Sequence, residues 1–225
     1  MDEIVKSFDD TYNSEEAYEM VAQIGDVALD VIIDGGALDG VPVIGLLKGV
    51  YKTTKNFQFQ RLIKKVHKFI FITQDTTLEE RNKFIQEYTE KNKEEGCEAL
   101  LAVIDRLDNV NKVDILVNLM KAKIKGGINM ADFIRLCAIV DRIPFSDFSE
   151  LVKYVEDYYE EGSTDVLLSA GVLFNTIIDG NEGNKYRLNS LGKTLLKYGL
   201  LSDAPVAPLE REVEKISFPF SLYLI

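Results

Sequence analysis

The chain reads as a mainly α protein: a helical bundle of two similar helix hairpins, with a small winged-helix-like β-hairpin near the C-terminus. Three observations predict this. Apolar residues recur at offsets of three and four from residue 57 to 72, the period of an amphipathic helix. Leu100–Leu107 and Leu136–Ile143 match each other at an offset of 36 residues, the length of a helix-turn-helix unit stacked on its neighbour. Beyond Gly162 the pattern changes to short apolar runs around the turn sequence DGNEGNK. The chain therefore divides into an acidic helix with a Gly-rich apolar segment (1–55), a helical core (56–161), the winged-helix-like segment (162–201), and a Pro-containing connection with an apolar tail (202–225).

In chain order, Ser14 precedes EEAYEMVAQIGDVALDVIID, an N-cap followed by acids where the helix dipole favours them. Gly35 and Gly36 stop that helix. Within it Asp26, Asp30 and Asp34 recur every four residues and line one face, opposite Val27 and Val31. Gly40, Gly45, Gly49 and Pro42 punctuate the next stretch, which reads either as a tight hairpin packed under the core or as an apolar loop free to insert elsewhere. Phe59, Leu62, Ile63, Val66, Phe69 and Ile70 then form one apolar stripe of a helix. Arg61, Lys64, Lys65 and Lys68 are expected on the opposite side. Asp75 with Thr76 or Thr77 caps a charge-rich helix that ends before Gly96. In the repeat, Asp105–Arg106 and Asp141–Arg142 fall where each first helix ends, which assigns them to turns. The last part reads as a short helix, a strand at Phe174–Ile178, a strand at Tyr186–Leu188 and a helix from Ser190. Six of the last eight residues are apolar, so the tail is expected to dock as an edge strand or plug.

Charge is segregated along this frame. The formal net charge is -11, yet residues 1–39 carry -10, residues 40–74 carry +7 without one acid, and residues 75–225 carry -8. The island consists of Lys48, Lys52, Lys55, Arg61, Lys64, Lys65 and Lys68. A pI near 4.7 argues against general nucleic-acid binding, because phosphate neutralisation needs positive surface along the polymer. No apolar run reaches the roughly 18 residues of a spanning helix. The N-terminus lacks the basic and apolar regions of a secretion signal, so the default location is cytoplasmic, with a peripheral place at a membrane open. Cys97 and Cys137 sit in apolar helical contexts that suit buried, reduced thiols.

Catalytic and cofactor motifs are not found. His67 is the one histidine and brings no flagged nucleophile or carboxylate with it. Two separated cysteines and one histidine give no zinc spacing. GVPVIG and GKT each lack residues of a phosphate loop, and DGNEGN lacks the terminal glutamate of a calcium loop. No cofactor and no enzymatic activity are expected.

Three stretches carry a resemblance: ALDGVPVIGLLKGVYK, then ALLAVIDRLDNVNKVDILVNLMKAKIKGGINMADFIRLCAIVDRI, and the ending SAGVLF to YRLNSLGKTLL. Together they resemble uncharacterised bacterial and phage-associated cytoplasmic proteins and, in outline, are similar to the abortive-infection alpha proteins. The likeness spans about two thirds of the chain and rests on apolar pattern. It implies a bacterial or prophage setting and a role in phage defence, and it carries no catalytic residues across.

The residues point to a non-enzymatic interaction protein. Lys48, Lys52, Arg61, Lys64, Lys65 and Lys68 are the candidate contact residues, for an acidic protein partner or an anionic membrane surface. Self-association into a homo-oligomer stays open. So does internal pairing of the basic island with the acidic N-terminal helix. The alternative function is a winged-helix-type nucleic-acid-binding regulator, weakened because its would-be recognition helix, STDVLLSAG, holds an aspartate and no base.

Overall fold

A computed structural model describes residues 2–25, 35–92, 95–176 and 184–201. The molecule is mainly helical with one small three-stranded antiparallel sheet. Helices α1 (Asp2–Tyr12) and α2 (Glu15–Ile24) open the chain, the latter capped by Ser14, whose hydroxyl accepts from the Ala17 N–H at 3.1 Å. The expected aspartate face at 26, 30 and 34 lies outside the described residues.

The Gly/Pro segment is neither hairpin nor loop. It forms helix α3 (Pro42–Thr54). Pro42 takes the first helical position, where its fixed φ helps and its missing N–H costs nothing, and the Val43 N–H donates to Thr11 Oγ1 of α1 at 3.0 Å. Gly45 permits the fold here: a Cβ on it would lie 2.7 Å from the Asp39 carbonyl. The apolar residues recur at a helical period, and Val43, Ile44 and Leu47 are buried. Punctuation by glycine is a weak signal where the helix back is this closely packed.

Helix α4 (Phe57–Thr73) follows after two residues and returns against α3. It is the central element, with contacts to α2 and α3 and to the later helices α6 and α7 (below). Its predicted stripe holds: Leu62, Ile63, Val66, Phe69 and Ile70 are buried and Phe59 is half-buried. Lys65 and His67 are buried too. The expectation that Lys65 faces outward is thus corrected, because a helix with neighbours on more than one side has no single solvent face. The His67 ring lies parallel to Phe71 at 6.4 Å.

Helix α5 (Leu78–Asn92) starts at a capping box in which the Thr77 hydroxyl accepts from the Glu80 N–H at 3.2 Å and the Glu80 carboxylate accepts from the Thr77 N–H at 2.8 Å. The repeat maps onto α6 (Gly96–Arg106) and α8 (Met130–Arg142). Between them runs α7 (Lys112–Ile124), and α8 is followed by a 3-10 segment, Phe145–Val155. The second copy therefore replaces an α-helical arm with a tighter one.

The C-terminal sheet has the order β1 (Tyr158–Tyr159), β3 (Lys185–Leu188), β2 (Leu173–Asn175). A short helix α9 (Thr164–Ser169) precedes β2, and α10 (Ser190–Thr194) follows β3 and continues as a π-wound turn, Leu195–Leu200. Strand β1 has no sequence signal beyond two tyrosines. The expected strand over 174–178 runs instead from Leu173 to Asn175, with residues 177 and 178 outside the described residues, as is the apolar tail. One contiguous core runs from Phe8 to Leu196.

Candidate functional site

The structure sorts the seven cations of the island into two groups. Four of them bond within the chain. Lys48 is buried on α3 and its ammonium contacts the Gly35 carbonyl and Asp39, which holds the Asp39 carboxyl below the usual carboxylate range. Lys65 reaches the carbonyls of Asp105 and, at 3.1 Å, Leu107. It thereby satisfies the C-terminal end of α6, where the helix dipole favours a cation. Burial pushes the Lys65 amine down, and Asp105 works against that shift. Lys68 contacts Asn111 Oδ1 at 3.2 Å and Asp114 Oδ2 at 2.6 Å. Arg61, exposed, donates to the Asp108 carbonyl. The cations of α4 that find partners find them in the 105–114 turn; among the described residues none pairs with α2.

Three cations remain outward: Lys52, Lys55 and Lys64 are exposed. Among the described residues neither Lys52 nor Lys64 forms an ion pair. Lys52 and Lys55 stand at the two-residue turn that joins α3 to α4, while Lys64 lies two helical turns into α4, about 10 Å along its axis from Phe57. Lys55 ends α3 in the left-handed region (φ 53°), with its N–H on the Tyr51 carbonyl at 2.7 Å and its ammonium 5.5 Å from the Tyr51 ring centroid. Asn56 then caps α4 by accepting from the Gln58 N–H at 2.9 Å. Next comes Phe57, 65% exposed, the most exposed large apolar side chain among the described residues. Phe57, Arg61 and Lys64 fall at i, i+4 and i+7 and so share a face of α4.

Of the six sequence-predicted contact residues, Lys52 stands at this tip, Arg61 and Lys64 follow one and two turns along the Phe57 face of α4, whereas Lys48, Lys65 and Lys68 hold other parts of the chain. Sequence reasoning missed Phe57. The available signal was that it heads the polar stripe of α4 rather than the apolar one.

Other chemistry is sparse. Among the described residues no group of three or more His, Cys, Asp or Glu could hold a metal ion. Cys97 and Cys137 are buried free thiols, pushed up by desolvation, so both are protonated at neutral pH. A cleft of about 360 Å³ between α5 and α7 is lined by Glu79, Lys83, Phe84, Glu87 and Lys123, but Lys123 already pairs with Glu87 at 2.7 Å. No described helix is long and apolar enough to cross a membrane. No protein-family model, curated protein or solved structure matches the chain, so the α3–α4 tip is assigned on its own chemistry.

Proposed function

We propose that this is a non-enzymatic interaction protein that docks on an anionic surface, an acidic protein face or an anionic membrane, through the tip of its α3–α4 hairpin. One observation carries the reading: exposed Phe57 follows Lys52 and Lys55 at the end of the hairpin and heads the face of α4 that carries Lys64, in a stretch from 40 to 74 that holds no carboxylate. Apolar area flanked by exposed cations is the composition of surfaces that settle on anionic ones. Lys65 and Lys68 support the tip by fixing α4 to residues 105–114. Two stacked helix hairpins, α6–α7 and α8 with its 3-10 arm, are the finer architecture we assign to the support, and the 36-residue repeat favours it. A role in phage defence rests on the resemblance alone and draws nothing from this geometry.

The test is co-sedimentation at low salt with an acidic polypeptide and with phosphatidylserine vesicles. Wild type is expected to bind at least one, and the Lys52→Glu/Lys64→Glu variant neither. Binding that survives the double reversal, or no binding to either, overturns the reading.

A nucleic-acid function is the second reading, favoured by one feature: the helix, strand, strand, helix order from α9 to α10 suits a winged-helix element. The outward positions of β3, Lys185 and Arg187, lie opposite Tyr159 and Phe174. Arg187, however, already pairs with Asp157 at 2.9 Å and Lys185 sits 4.9 Å over the Tyr159 ring. An electrophoretic shift with short DNA or RNA at low salt decides it, and absence of a shift removes it.

A further inference from the structure

We infer that the occupant of the α3–α4 tip is an anionic lipid bilayer, entered end-on by the Phe57 ring with Lys52 and Lys55 at the level of the phosphates and Lys64, two turns further along α4, above them in the attractive field of the surface. This rests on the reading above that the tip is a docking surface. Three features point to a bilayer rather than to an acidic protein.

The apolar content of the tip is a single ring. Its neighbours Tyr51 and Phe59 are half-buried and packed against the core. Stable protein interfaces centre on a contiguous, desolvated apolar patch, and one isolated ring does not supply it. A lone aromatic does suit the headgroup boundary, where one end of the ring meets hydrocarbon and the surroundings stay polar.

The rest of the tip is polar without being acidic. Thr53, Thr54, Asn56, Gln58 and Gln60 fill the positions between the cations. The Thr53 and Thr54 hydroxyls donate to the Gly49 and Val50 carbonyls, so the side-chain amides of Asn56, Gln58 and Gln60 are the uncharged donors beside the ammonium groups that match a layer of phosphates and ester carbonyls. They offer no complementary register for a particular protein surface.

The apolar faces of both helices are already used. Val43, Ile44 and Leu47 of α3 and Leu62, Ile63, Val66 and Phe69 of α4 are buried in the core. Neither helix can lie flat in the interface as a free amphipathic helix does. Of this hairpin only the end is left to enter the bilayer.

The chain contains no tryptophan, so Phe57→Trp places a single fluorescent reporter at an exposed position. With vesicles of phosphatidylcholine and phosphatidylserine its emission is expected to shift to the blue and to be quenched by brominated acyl chains. Phe57→Ala is expected to weaken vesicle partition roughly fivefold, as for partial burial of one ring. Replacing Lys52, Lys55 and Lys64 together by Gln should weaken it about a hundredfold, near fivefold for each charge. All these positions are exposed, so the variants are expected to fold, with wild-type circular dichroism and melting temperature as the check. Vesicle binding without a blue shift, and with Phe57→Ala equal to wild type, overturns insertion while the docking reading stands. Binding to polyglutamate and not to vesicles makes the occupant an acidic protein and also overturns the inference. Failure to bind either removes the docking reading itself.

Discussion

Lys112 shows how a charged residue becomes part of the core. It is fully buried, yet its ammonium meets the Asp141 carbonyl at 3.1 Å and Asp108 Oδ1 at 2.7 Å. The first of these satisfies the C-terminal end of α8, as Lys65 does for α6, and Asp105 and Asp141 are equivalent positions of the 36-residue repeat. Two lysines from unrelated places thus perform the same task on the two copies. Lys112→Ala is expected to cost about 2–4 kcal/mol, because it removes a charge-assisted hydrogen bond and leaves a buried carbonyl unmet. Lys112→Met, which keeps the stem, should cost about 1–2 kcal/mol; urea midpoints at constant slope measure both. Tyr18 gives a pH signature. Burial raises its phenol from the usual 10.0 to about 12, with the Arg81 guanidinium, 3.8 Å from the ring centroid, opposing the shift. The unfolded chain therefore loses this proton first. The folded state keeps it, so stability falls as pH rises from about 10 to about 12, by up to roughly 2–3 kcal/mol. In Tyr18→Phe that alkaline slope should be visibly flatter in thermal melts, and an unchanged slope would contradict the assignment. Neither lysine cap nor the buried phenol is visible in the sequence, since burial of a polar group depends on which carbonyl or hydroxyl folds over it.

Among the elements, α3 and the C-terminal sheet respond oppositely to added methyl groups. Gly49 lies on the exposed side of α3, and a Cβ there would meet nothing within 4 Å, so Gly49→Ala should stabilise by about 0.5–1 kcal/mol through backbone entropy. At Gly192 a Cβ would lie 2.3 Å from the Val172 carbonyl and 2.9 Å from Leu188 Cδ2. Gly192→Ala should push α10 away from the strand pair and cost about 2–3 kcal/mol, read as a lower melting temperature with lost protection of the Asn189 N–H, which donates to Val172 at 2.9 Å. These elements were unequally legible. The stripe of α4, the Ser14 cap and the Thr77–Glu80 box follow from local rules and are visible in the chain. Helix α3 was hidden by Gly45 and Gly49, and β1 by its length of two residues; both depend on a neighbour, Thr11 and Asp39 for α3 and Tyr186 for β1, which the local pattern does not reveal.

For the whole molecule, the charge distribution decides how it can approach an anionic surface. A body of net charge -11 is repelled on the whole by such a surface, and the stretch from 40 to 74, with seven cations and no acid, is where that repulsion is locally reversed. Docking is then a balance between a short-range basic contact and a diffuse repulsion. Near 1 M salt the Debye length of about 3 Å screens both, and the contact is the larger loss, so the binding expected at low salt should vanish. The sequence by itself determined the helical class, the 36-residue repeat, the apolar stripe of α4 and the presence of a cationic island in an acidic chain, because periodicity and charge are properties of neighbours in sequence. Only the tertiary structure decided which cations are available. Lys48, Lys65 and Lys68 turn to carbonyls and carboxylates that lie nine to 46 residues away, while Lys52, Lys55 and Lys64 stay in solvent. A buried ammonium must find an acceptor or give up its charge, and where that acceptor lies is settled by packing.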